Sequence, residues 1–92
     1  MYIVEKKNKF VAVSETGKIM GELSYSPAGD KLWIIDHTDV DDLFRGQHVG
    51  NKLLEYAVEA ARKTERKILP LCPFANRVMS QNRGKYADIL FS

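Results

Sequence analysis

The sequence predicts a small α/β (α+β) fold: a mixed sheet with antiparallel N-terminal strands, a central parallel βαβ crossover, and helices packed against the sheet. Three observations carry this. Short apolar, β-branched runs separated by turn residues fill the N-terminal part up to Val40. One stretch of helical period follows from Val49 to about Thr64, and a short apolar run returns at Ile68 to Cys72.

The elements follow in order. Tyr2 to Glu5 and Phe10 to Val13 are apolar runs separated by KKNK, with Asn8 as turn residue, which predicts a hairpin. After Thr16-Gly17, Lys18 to Tyr25 alternates, with Ile19, Leu23 and Tyr25 on one side and Glu22 and Ser24 on the other. Ser26 to Asp30 supplies a turn, because proline fixes one dihedral and glycine permits a positive one. Lys31 to about Val40 is read as a further strand, and its run Leu32-Trp33-Ile34-Ile35 is that of a central strand covered on both faces. From Val49 the apolar positions Leu53, Ala57, Ala60 and Ala61, widened by Leu54 and Val58, make one helical stripe. Ile68 to Cys72 is then a strand stopped by Pro73, and strand, helix, strand makes a parallel pair. Ala75 to Gln81 is a shorter helix, and Tyr86 to Phe91 a terminal turn or helix.

With 92 residues the chain is read as one domain over residues 1–92. Only about 60–65% of the unfolded surface is buried at this size, which leaves one core. The 45% hydrophobic and 28% charged content is that of a soluble globular protein rather than a disordered one. No apolar run reaches the roughly 20 residues of a membrane span, and MYIVEKK is no secretory signal, so the expected location is cytoplasmic. A lone cysteine, Cys72, agrees with a reducing compartment, and two histidines make a zinc site improbable, so no metal is expected. Fourteen basic against twelve acidic residues give a net charge of +2, too small an excess to favour a nucleic-acid-binding domain.

The stretch FRGQHVGNKLLEYA, residues 44–57, sets two glycines just where a helix must start. A helix N-terminus offers unpaired N–H groups and a partial positive charge, and with Arg45 beside it this makes a phosphate site. The competing reading is a tight turn at Gly46 and close packing at Gly50, and the residues alone leave both open.

RGQHVG followed by NKLL resembles motif A of the GNAT N-acetyltransferase superfamily, whose pattern is Gln or Arg, two residues, Gly, any residue, then Gly or Ala. Arg45 and Gly50 match its ends, Gly46 and Gln47 match a common RGQG variant, and His48 stands where the pattern has its central glycine. DHTDV at 36–40 and ILPLCPF at 68–74 are similar to a short, single-domain branch of that superfamily. The resemblance implies a GNAT-like fold with acetyl-CoA (coenzyme A) as cosubstrate, held by Arg45, Gly46, Gln47, His48, Val49 and Gly50, with Asn51 and Lys52 on the following turn. It implies that the pantetheine arm passes between splayed strands ending near Val40 and Cys72, with His37, Thr38, Asp39 and Val40 as contacts and Phe74 and Asn76 flanking it.

Acetyl transfer needs a nucleophile, oxyanion stabilisation and a proton for the leaving thiolate. His37 is a candidate base, weighed against a hydrogen-bonded strand histidine, and Cys72 a candidate nucleophile, weighed against a small packing residue. Tyr86 is read as a core anchor before a proton donor, and the acidic DVDD segment at 39–42 as a solvated turn pairing with Arg45 before an amine attractor. The expectation is N-acetyl transfer to an unidentified amine, with a non-catalytic acyl-CoA-binding or sensing module as the alternative. Direct transfer and an acetyl-cysteine intermediate both stay open, as does the oligomeric state.

Overall fold

Asn8, at φ 60°, takes the left-handed turn that lets β1 (Tyr2–Lys6) fold back as β2 (Lys9–Val13), with Lys6 opposite Lys9. The computed structural model describes residues 1–91. β3 (Ile19–Pro27), β4 (Leu32–Val40) and β5 (Lys67–Pro70) complete a sheet of order β1-β2-β3-β4-β5, antiparallel through β4 and parallel between β4 and β5. A 3-10 turn (Asp42–Phe44) and α1 (Val49–Lys63) connect β4 to β5, and α2 (Pro73–Gln81) and α3 (Arg83–Tyr86) follow. The expected mixed α/β architecture is therefore observed. No helix among the described residues is long and apolar enough to cross a membrane.

The helices supply the second layer. Leu53, Leu54, Ala57, Val58 and Ala61 of α1 are buried against Phe10, Leu23, Ile35 and Ile68 of the sheet. Each buried leucine contributes about 1.5–3 kcal/mol. Tyr86 is anchored in this core, and its hydroxyl donates to Glu55 Oε1 at 2.8 Å, where Lys85 Nζ also lies at 2.6 Å. Arg62 of α1 holds Asp88 through Nε at 2.9 Å, so two polar clamps fasten the C-terminal segment to α1.

Three sequence expectations need correction. Trp33 and Ile35 are buried but Leu32 and Ile34 only half-buried, because the helices cover one face of β4 and leave the other open. Ile19 is 61% exposed and Met20 buried: the β2–β3 register slips between Ala12 and Val13, which leaves Met20 unpaired and moves Ile19 off the core side that Leu23 and Tyr25 keep. β5 ends at Pro70 rather than Cys72, and α2 begins at Pro73, where a proline's missing N–H costs the helix nothing. Of the two alternatives for the last residues, the turn is observed after α3, and Leu90 then bridges Ile68 in parallel.

Candidate functional site

Where β5 stops, β4 runs on. Ile35 pairs with Pro70, after which β4 continues from Asp36 to Val40 without β5 beside it. The N–H groups of Leu71 and Cys72 both donate to Ile35 O, at 3.1 and 3.0 Å, and this turns the chain away from β4. On the other edge of β4, Asp41 N–H donates to Met20 O at 2.8 Å. Strand alternation then directs Asp39 at β3, and directs the N–H and C=O of Thr38 and Val40 into the gap left by β5.

The loop beyond β4 closes one end of that gap. Asp41 accepts Leu43 N–H at 2.9 Å to start the 3-10 turn, and Arg45 Nε lies 2.8 Å from Asp42 Oδ1. Gly46 has φ 83°, a conformation that costs a residue with a Cβ about 1–2 kcal/mol. His48 has φ 61° and precedes α1, taking without glycine the left-handed conformation that histidine tolerates better than most side chains. Gly50 is required by approach rather than by φ: a Cβ there would lie 3.1 Å from Phe74 Cζ. No side chain caps α1 and its first turn has no acidic residue. The N–H groups of Val49, Gly50 and Asn51 thus find no acceptor among the described residues.

These parts enclose a cavity of about 350 Å³. Thr38, Asp39 and Val40 line it from β4, Phe44, Arg45 and Gly46 from the loop, His48 to Asn51 from the start of α1, and Phe74 from α2. Four expected contacts lie elsewhere, His37 among them. Gln47 is exposed outside the cavity, and Lys52 lines a separate groove with Glu5 and Tyr56. Asn76 Nδ2 donates to Pro70 O at 3.3 Å, tying α2 to the end of β5.

Cys72 occupies the N-cap of α2 and is 4% exposed. Burial pushes its thiol up, but the donors around it outweigh that effect. The Ala75 N–H, the Thr38 hydroxyl, the Phe74 N–H and the Thr38 N–H together hold it below the ordinary thiol value. Its Sγ is 3.5 Å from Thr38 Oγ1. His37 does not join it. Adjacent strand residues face opposite ways, so with Thr38 turned to Cys72, His37 is exposed opposite Ser24 on the open face of the sheet. Phe44 and the N–H groups of Phe74 and Ala75 were missed by sequence reasoning, although a cysteine followed by proline at a helix start signals the latter two.

Residues 9–89 match the family model described as GCN5-related N-acetyl-transferase. No curated protein matches the chain. Among solved structures, a GCN5-like protein from Staphylococcus aureus superimposes with a TM-score of 0.77 at 35% identity, covering 99% of this chain and 88% of that one. Two complexes with CoA share the fold at lower identity. One is from Mycobacterium tuberculosis (19%, TM-score 0.69, 83% of this chain and 47% of that one), the other a GNAT family N-acetyltransferase from Escherichia coli (18%, TM-score 0.67, 79% and 43%). The chain spans less than half the length of these last two.

Proposed function

Because the chain belongs to the GCN5-related N-acetyltransferase family, we propose that it takes an acetyl group from acetyl-CoA and delivers it to an unidentified amine, residues 1–92 forming one such domain. The observation that carries this reading is the convergence, in one cavity, of the uncapped first turn of α1 and the unpaired edge of β4. The first suits a pyrophosphate, since its N–H groups and partial charge attract anions. The second suits the amides of a pantetheine arm, which would pair with Thr38 and Val40 as a missing strand would. Cytoplasmic residence fits the single unpaired thiol.

We assign the acyl-accepting role to Cys72, a choice supported by the donors that favour its thiolate. The thiolate attacks the thioester carbonyl, the carbon–sulfur bond to CoA breaks, and the departing sulfur takes a proton from solvent. The amine then attacks acetyl-Cys72, loses a proton and releases the Cys72 thiolate. The amine's proton passes to solvent, because His37 lies on the open face of β4, away from Cys72. A second reading, acyl-CoA binding without turnover, draws on the lack of a histidine beside Cys72.

Titration with acetyl-CoA, followed by amide NMR, tests the site. Saturable shifts at Thr38 to Val40, Gly46 to Asn51 and Cys72 to Ala75 are expected, and none at millimolar ligand would overturn the reading. Mass spectrometry of the acid-quenched mixture without amine should then find acetyl on Cys72. Turnover of an amine with no such adduct would mean direct transfer.

A further inference from the structure

A phosphate held at a helix start is bound more tightly with a fixed cation beside it, and the loop's own cation, Arg45, already has an exposed partner in Asp42. On α2, whose Phe74 lines the cavity, Arg77 is exposed and has no carboxylate partner among the described residues. Its guanidinium carbon lies 5.9 Å from the centroid of the Phe74 ring. That ring also packs on α1, with Cζ 3.1 Å from where a Gly50 Cβ would be. One aromatic ring thus neighbours both the first turn of α1 and the guanidinium. A guanidinium resting on a ring keeps its N–H edge free and loses less side-chain freedom when it binds an anion.

We propose that Arg77 is a phosphate-binding residue of the acyl-CoA site, positioned by Phe74 beside the first turn of α1; the assignment rests on the acyl-CoA reading above. The phosphate is either the pyrophosphate or the 3′-phosphate of CoA, and ligands lacking one or both separate the two. The test is calorimetric titration of the wild-type chain, Arg77→Gln and Arg77→Lys with CoA, dephospho-CoA and acetyl-pantetheine. Arg77→Gln should weaken CoA about five- to tenfold, the range between an exposed ion pair and a charged hydrogen bond. Arg77→Lys should recover part of the loss, and acetyl-pantetheine should bind all three proteins alike. A loss for CoA but not for dephospho-CoA identifies the 3′-phosphate, and an equal loss for both the pyrophosphate. Unchanged CoA affinity in Arg77→Gln, or an equal loss for acetyl-pantetheine, would overturn the assignment while leaving the cofactor reading intact. Absence of CoA binding by the wild-type chain would remove both.

Discussion

A thiol as buried as Cys72 is ordinarily an inert packing group, but its surroundings favour the thiolate. Burial raises its pKa, but three peptide N–H groups and one hydroxyl bring it below the usual thiol value. Iodoacetamide modification followed against pH should therefore reach half its limiting rate below the midpoint of a free cysteine peptide. In Thr38→Val, which removes the hydroxyl and keeps the N–H, the midpoint should rise, and an unchanged midpoint would show that the hydroxyl contributes nothing. At this scale the sequence exposed the candidates and hid the geometry. Cys72 was conspicuous as the lone cysteine, and Pro73 after it signals the Phe74 and Ala75 N–H groups, but nothing local reveals that Thr38 of β4 supplies the other two donors. His37 and Thr38, adjacent in sequence, were separated by the alternation of the strand.

Among the elements, β4 is the one on which the site depends, because it pairs with β3 on one edge and opens to the cavity on the other. Gly21 of β3 sets that pairing. A Cβ there would lie 2.7 Å from Asp39 O, a backbone atom that yields only if the strands move apart. Gly21→Ala should destabilise the chain by about 1–3 kcal/mol in urea titration. It should also weaken acetyl-CoA binding, whereas Gly84→Ala, where an added Cβ meets nothing within 4 Å, should spare both. Helix α1 was readable from its apolar stripe alone, since helical period over four turns has no competing interpretation. The end of β5 was not. Leu71 and Cys72 continue the apolar run of Ile68 and Leu69, and only their shared bond to Ile35 O shows that the strand has already ended.

For the molecule as a whole, one sheet face carries the helices and polar clamps hold its end in place. Lys85, by hydrogen bonding, draws the Glu55 carboxyl below its usual value against the opposing effect of burial. A carboxyl depressed on folding stabilises the protein above its unfolded pKa and loses that contribution as pH falls through the folded one. Acid unfolding of Glu55→Gln should thus be flatter than that of the wild type in roughly the pH 3–5 range, by less than about 1 kcal/mol because the pair is half exposed. Fold class and core were legible because apolar period survives in any context, whereas the bare face of β4 was not, since a run of four apolar residues reads the same whether one or both sides are covered. The donors around Cys72 come from the course of the chain more than from its side chains. Replacing side chains one at a time would leave three of the four in place, so an alanine scan would pass over the device that tunes the thiol. Amide-to-ester exchange at Ala75 would remove one donor without touching a side chain, and any descendant sequence that kept this path would inherit the donors.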